Sequence, residues 1–241
     1  MSLLARFERL YGEAKRNRWI RSFAVFCRVV LALAFIPAGI VKLTGGRFTA
    51  LPSNNPLGHY FDALFATRYY YTFIGVGQLL AALLLLIPRT ALLGALIYFP
   101  IILNIWVLAS ATRFNGTRLT TLMLLASSFL LVWDHDRLKP VLSVGRAGDD
   151  RHIRDGTSKF PTWFFGLVLA TIASVIAVDD LLYPVRPGND QLECTNGCKR
   201  GGSPGVCLGF CACIYDQGHP LKRCLDEYSS AKAAEAAARG P

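Results

Sequence analysis

The chain has 241 residues, of which 53% are hydrophobic and 17% are charged, and its formal net charge is +10. Several stretches stay apolar on every helical face for long enough to cross the hydrocarbon core of a bilayer, which is roughly 30 Å thick. The composition therefore excludes an ordinary soluble domain and predicts an all-α integral membrane protein. Because the basic residues flank the apolar stretches, the charge indicates attraction to anionic lipid and not to nucleic acid.

The first segment, residues 1–21, is predicted to be a basic amphipathic helix that lies on the membrane surface. Apolar residues recur at helical spacing from Leu3 to Ala14, and basic residues occupy the positions between them. A solvated helical tail is the alternative.

Five apolar stretches are predicted to span the membrane, at residues 22–41, 72–87, 91–111, 117–133 and 161–178. Short turns after the second and third stretches predict antiparallel neighbours in a compact bundle. Arg28 and Arg118 lie inside their stretches and are predicted to extend towards the headgroups. The aromatic residues between His59 and Tyr71 are typical of a segment at the membrane interface.

The orientation follows from the distribution of lysine and arginine. Residues 1–21 hold six basic residues and the loop at 134–160 holds six, whereas residues 42–70 hold three and the next turn holds Arg113 and Arg118. Basic loops favour the cytoplasmic side. With an odd number of spans, the N-terminus is predicted to be cytoplasmic and the C-terminal tail periplasmic or extracellular, in a bacterial inner membrane.

Six of the seven cysteines lie in the tail, at Cys194, Cys198, Cys207, Cys211, Cys213 and Cys224. A dense, even set of cysteines predicts a disulfide framework in an oxidising compartment. A redox-active pair, such as Cys211 with Cys213, and a thiolate metal site remain alternatives. Cys27 lies within the first apolar stretch and is predicted to be inert.

Between Val29 and Leu142 the sequence resembles the DoxX-like family of small bacterial membrane proteins. The similar stretches are LALAFIPAGIVKL (31–43), FIGVGQLLAALLLLIPRTALLGAL (73–96) and WDHDRLKP (133–140). The resemblance implies a four-helix transmembrane bundle and a link to quinone-coupled sulfur or thiol oxidation and to membrane redox complexes. Gln78 stands where the family often carries an acidic residue, which argues against a proton-accepting role at that position.

The tail resembles knottin-type mini-domains, on the run CLGFCAC from Cys207 to Cys213. That resemblance implies the pairs Cys194–Cys211, Cys198–Cys213 and Cys207–Cys224 among the 15 connectivities that six cysteines allow. The resulting division of the chain is 1–21, cytoplasmic amphipathic helix; 22–142, DoxX-like bundle; 143–160, cytoplasmic loop; 161–183, fifth transmembrane helix; 184–228, extracytoplasmic disulfide-rich domain; 229–241, Ala-rich tail.

Polar residues within the spans are the candidates for a ligand site, because such groups are costly inside a bilayer. Lys42 ends the first span, and Gln78 and Asn104 are predicted to lie at one depth beneath it. Together they would hydrogen-bond the carbonyls of a quinone, with His59 and the aromatic segment as a lid. Interhelical hydrogen bonds and a lysine that extends to the surface form the alternative.

Two small groups of residues are of the types that bind metal ions, but the sequence does not predict a metal site at either. His59 and Asp62 offer only two ligands, and Asp134, His135 and Asp136 fit a solvated helix end. The sequence also lacks nucleotide, dinucleotide and hydrolase motifs.

The function predicted from these features is that of an accessory subunit of a larger, redox-linked membrane complex. Lipid, other membrane subunits and an extracytoplasmic protein bound by the tail are the expected partners. A quinone-linked thiol or sulfur-compound oxidoreductase is the alternative, with quinone as its cofactor, and a small-molecule carrier is a third class.

Overall fold

A computed structural model of the chain describes residues 11–137, 159–199 and 203–239, and every regular element in these ranges is a helix. Residues 11–16 are helical, and nine helices described over their full length follow. They are α1 (Arg18–Leu43), α2 (Pro56–Ala66), α3 (Tyr69–Leu86), α4 (Ala91–Ala111), α5 (Thr117–Trp133), α6 (Thr162–Leu182), α7 (Gln191–Cys198), α8 (Pro204–Tyr215) and α9 (Leu221–Arg239).

Local signals in the sequence account for the start of two of these helices. The side chain of Asn17 caps α1 by accepting a hydrogen bond from the amide of Trp19 at 2.9 Å. Asn55 caps α2 in the same way, and Pro56 occupies the first helical turn, where its missing N–H costs nothing.

Small residues let the helices of the bundle approach closely. A Cβ atom on Gly39 of α1 would lie 3.0 Å from the carbonyl oxygen of Gly75 in α3, and one on Gly94 of α4 would lie 2.6 Å from the backbone nitrogen of Leu85. Glycine at such positions allows backbones to pack in van der Waals contact inside a membrane. One apolar core, built from α1, α3, α4 and α5, results.

The bundle has two distinguishable ends. At one, which we call the basic end, the Tyr11 hydroxyl donates to the carbonyl oxygen of Trp133 at 2.8 Å, and the Asn17 amide donates to that of Lys159 at 2.9 Å. At the other, the module end, Asn54 donates to the carbonyl oxygen of Ile214 at 2.9 Å. The N-terminal part of the described chain and the tail therefore lie at opposite ends of the bundle.

Four helices, α1, α3, α4 and α6, are long and apolar enough to cross a membrane. The fourth predicted span, α5, has 17 residues and is shorter than these. It nevertheless runs from the module end, where Arg118 meets Asp179, to the basic end at Trp133. Its length of about 25 Å is at the lower limit for a bilayer.

Several predicted boundaries differ from the observed ones. The helices α1 and α3 begin earlier than the predicted spans at 22 and 72, and α6 continues to Leu182 instead of ending before Asp179. It can continue because Arg118 and Arg186 neutralise Asp179 within the helix. Residues 1–10 of the predicted amphipathic helix and most of the 134–160 loop lie outside the described residues.

Candidate functional site

Lys42, a candidate quinone ligand, lies buried at the module end of α1, with 4% of its surface exposed. Its ammonium group donates to the carbonyl oxygen of Ala38 at 3.1 Å. The same nitrogen lies 4.2 Å from the ring centre of Phe48 and 5.7 Å from that of Tyr71. The two rings stabilise the cation and cover it from the loop side.

Gln78 faces the same packed interface from α3. It is 1% exposed, and its side-chain oxygen accepts no hydrogen bond from any described residue. Gly75, one turn away, would bring a Cβ atom to 2.8 Å from Cβ of Lys42. Lys42 and Gln78 therefore lie on facing surfaces of α1 and α3, about one turn apart.

The other two predicted members of the quinone site lie elsewhere. Asn104 is exposed on the outer surface of α4, and His59 is exposed on α2. The inward face of α4 carries Tyr98 and Ile102, and position 104 is about 200° around the helix from position 102. Asn104 therefore does not lie on the inward face of α4, and the four residues do not form one site.

The structure instead adds two buried polar groups that the sequence analysis did not select. The hydroxyls of Tyr98 and Ser127 are buried and make no hydrogen bond to a described residue. Tyr98 stacks on Phe35 with ring centres 3.7 Å apart. The contacts that flank it, Gly94 with Ala81 and Gly77 with Ile101, put Tyr98 beside the turn of α3 that carries Gln78. A tyrosine inside an otherwise apolar helix was the available signal.

Both arginines that were predicted to extend towards the headgroups are held in ion pairs instead. Arg28 contacts Asp134 with a closest N–O distance of 2.8 Å. Arg118 contacts Asp179 at 2.7 Å and also pairs with Asp180. The sequence analysis did not identify these pairs because the carboxylates come from parts of the chain that are distant in the sequence.

The carboxylates of the two candidate metal-ligand groups form contacts with other residues of the protein. Asp62 pairs with Arg47 at 2.9 Å and accepts a hydrogen bond from Ser53, while His59 points to the exterior. Asp134 pairs with Arg28, and the Asp136 carboxylate lies 3.8 Å from the Lys15 ammonium. Burial lowers the pKa of Lys15, which the carboxylates of Asp134 and Asp136 partly oppose.

The tail forms what we call the cysteine module, which consists of α7, α8 and α9. The expectation that its six cysteines pair is confirmed, and Cys27 is the free, buried cysteine. Of the three implied pairs, Cys194–Cys211 is correct and the other two are wrong. The observed bonds are Cys198–Cys207 and Cys213–Cys224.

Helical geometry explains this connectivity. Cys194 and Cys198 lie four residues apart on one face of α7, and Cys207 and Cys211 lie four apart on one face of α8. When two antiparallel helices pack through these faces, the two cysteines nearest the connecting turn, Cys198 and Cys207, face each other. The two cysteines further from the turn, Cys194 and Cys211, then face each other as well. Cys213 is about 200° around α8 from Cys211, so it bonds to Cys224 of α9. The described part of the module contains no strand, which excludes a knottin fold for it.

The two disulfides between α7 and α8 touch each other. The sulfur atoms of Cys198 and Cys211 are 3.6 Å apart, and those of Cys198, Cys207 and Cys211 all lie within 4.8 Å of one another. As disulfides these sulfurs are not thiolate ligands, which weighs against a metal site in the oxidised module.

A cleft of about 760 Å³ separates the module from the bundle. The residues along its wall include Cys194 and Cys207 from the module, Arg118 and Asn115 from the bundle, and Lys232 from α9. This arrangement gives a polar, mixed-charge cavity with two cysteines on the module side.

Comparison with known proteins finds a bacterial relative of about half of this chain. No family model matches the chain, and no solved structure matches it. An uncharacterized protein of Bacillus subtilis (strain 168), YwoB, is 35% identical over 128 residues, which cover 51% of this chain and 82% of YwoB. An identity of this extent over most of the relative's length is evidence of common descent. The chain therefore belongs to the family of YwoB.

Proposed function

We propose that this protein is an accessory subunit of a larger membrane complex, in which it presents the cysteine module to a partner on the outer face of a bacterial inner membrane. The surface of α6 carries the proposal. In the most apolar part of α6 only 6% of the residues are buried within the chain, compared with 33–39% in the other three long helices. An apolar helix that is so little covered by its own chain offers its surface to other transmembrane helices.

The attachment of the module supports the same role. The Thr49 hydroxyl donates to the side chain of Asn189 at 2.6 Å, and Asn115 donates to Glu193 at 2.9 Å. Arg186 joins the connecting segment to Asp179 at 2.8 Å. These contacts hold the module in one position on the bundle, which favours recognition by a partner because little ordering is needed on binding.

The proposed orientation has the basic end in the cytoplasm and the module outside. The excess of basic residues near the N-terminus and the three disulfides both favour it. A membrane-impermeant amine reagent applied to intact cells should label the exposed Lys232 of the module and not Lys15.

Site-specific photo-crosslinking tests the accessory role. A photoreactive residue at Leu169 of α6 is expected to capture another membrane protein in cells, whereas one at Leu33 of α1 should not. The two positions are a matched pair, since their exposed fractions are 68% and 60%. Equal capture at both positions, or purification in mild detergent only as a lone monomer, would contradict the proposal.

A second candidate function, that of a quinone-linked thiol or sulfur-compound oxidoreductase of DoxX-like type, is favoured by Gln78. Its buried side-chain oxygen lacks a hydrogen-bond partner among the described residues, and the buried ammonium of Lys42 lies about one turn away. Gln78→Leu is then expected to weaken quinone binding, and Asn104→Leu, on the outer face of α4, to leave it unchanged. Equal affinity of both variants for a soluble ubiquinone analogue would reject this function.

A further inference from the structure

The closest approach between the two disulfides of the α7–α8 pair has a chemical consequence. In thiol–disulfide exchange a thiolate attacks one sulfur of a disulfide and displaces the other. The Cys198 sulfur lies 3.6 Å from that of Cys211, so it is in van der Waals contact with its target. Cys213–Cys224 does not belong to the cluster formed by Cys198, Cys207 and Cys211.

The accessibility of these sulfurs differs. Cys198 and Cys211 are each 1% exposed, whereas Cys207 is only partly buried. Cys207 and Cys194 lie on the wall of the cleft between the module and the bundle. A reagent in the cleft therefore meets Cys207 first, and the two sulfurs that touch each other lie behind it.

We propose that the module is a two-disulfide relay that oxidises small thiols entering this cleft. The thiolate of the small thiol attacks the Cys207 sulfur, forms a mixed disulfide with it and releases the Cys198 thiolate. The Cys198 thiolate attacks the Cys211 sulfur, forms the Cys198–Cys211 bond and releases the Cys194 thiolate.

A second molecule of the thiol completes the reaction. Its thiolate attacks the sulfur of the first molecule within the mixed disulfide, which yields the disulfide of the small thiol and the Cys207 thiolate. The two protons of the small thiols end on Cys194 and Cys207, so two thiols are oxidised and one protein disulfide is reduced. The reduced pair now faces the cleft, and the new disulfide, Cys198–Cys211, is buried.

The cleft fits a small zwitterionic thiol better than a protein. Its volume is about 760 Å³, and its wall carries the cation Lys232, the Arg118–Asp180 ion pair and the anion Glu193, which accepts from Asn115. Opposite charges on one wall can bind the carboxylate and ammonium groups of such a molecule. The relay goes beyond the accessory role and does not depend on it.

The variant Cys207→Ser tests the relay, because it leaves Cys198 with a free thiol. We expect this thiol to exchange with Cys194–Cys211. After the full chain in detergent is quenched with acid, unfolded and alkylated, peptide mapping should show label on both Cys198 and Cys194, in addition to the free Cys27. The matched control is Cys213→Ser, in which Cys224 is the one module cysteine expected to carry the label. Label on Cys198 but not on Cys194 in Cys207→Ser would overturn the proposal.

The wild-type protein provides a second measurement that does not depend on how the variant folds. With a few equivalents of reduced glutathione, we expect a glutathione adduct on Cys207 and a new Cys198–Cys211 cross-link, while Cys213–Cys224 stays intact. Reduction of all three disulfides at one rate, or loss of Cys198–Cys207 without that cross-link, would overturn the relay. A thiol-bearing peptide too large for the cleft should react much more slowly than glutathione, and an equal rate would exclude the cleft as the entrance.

Discussion

Arg28 of α1 and Asp134 at the end of α5 form an ion pair with a closest N–O distance of 2.8 Å, and their side chains are 14% and 7% exposed. The pair connects two helices that are 106 residues apart in the chain. It lies at the basic end of the bundle, where the Lys15 ammonium also pairs with the Asp136 carboxylate. Each charge is stabilised by the other, so the loss of one partner leaves the second charge buried and unpaired.

Asp134→Asn is therefore expected to destabilise the protein by about 3 kcal/mol, because the Arg28 guanidinium would keep its charge without a counter-ion. Thermal unfolding in detergent, followed by helical circular dichroism, measures the effect. Asp136→Asn is the control, since that carboxylate is 53% exposed and its pair with Lys15 contributes little. Equal stability of the two variants would show that the buried pair is not important for the fold.

The close contact between α1 and α3 can be tested by adding one methyl group at Gly75. In Gly75→Ala the new Cβ atom would lie 2.8 Å from Cβ of Lys42 and 3.0 Å from the Gly39 carbonyl oxygen. The helices must separate, at a cost of about 1–3 kcal/mol. Gly77→Ala is the matched control, since its nearest atom, on Ile101, is 3.8 Å away. A Gly75→Ala protein that unfolds at the wild-type temperature would contradict the observed packing.

Asn54 attaches the module to the bundle by two hydrogen bonds, to the carbonyl oxygens of Ile214 at 2.9 Å and His219 at 2.7 Å. Asn54→Ala removes both hydrogen bonds, so we expect faster amide hydrogen exchange in the turn between α8 and α9. The free energy of local opening in that turn should fall by roughly 1–2 kcal/mol. Ser53→Ala, which changes a contact to Asp62 only, should leave exchange in that turn unaltered. If both variants exchange alike, Asn54 does not hold the module.

Tyr215 is expected to keep its proton to unusually high pH. Burial, with smaller contributions from the carboxylates of Asp190 and Glu193, raises its pKa to about 12, and its hydroxyl donates to the Gly188 carbonyl oxygen at 2.7 Å. The folded pKa exceeds the unfolded value near 10. The stability from this group is therefore complete below about pH 10 and is lost as the pH rises towards 12.

The difference in tyrosinate absorbance between the wild type and Tyr215→Phe measures this titration. We expect the difference to appear close to pH 12, while helical circular dichroism shows that both proteins remain folded. A difference that is already complete at pH 10 would show that the hydroxyl is accessible to water in the folded module.

The sequence alone determined the long apolar helices of the bundle and their order along the chain. Continuous apolar stretches identified α3, α4 and α5 to within a few residues, because a segment with no polar face has few alternatives to a transmembrane helix. The dense group of cysteines likewise identified a disulfide framework. In both cases the signal lies within a single segment, so periodicity and composition are sufficient.

Only the tertiary structure decided which of these residues meet. Asn104 faces outward, since the rotation of α4 is set by the glycine contacts at Gly94. Cys198 pairs with Cys207 because two helices pack against each other, whereas the resemblance to knottin-type domains had implied other partners for both cysteines. Arg28 forms an ion pair with Asp134 because helix packing brings together charges that are distant in the chain. Contacts between segments depend on rotation and register, which a linear pattern does not specify.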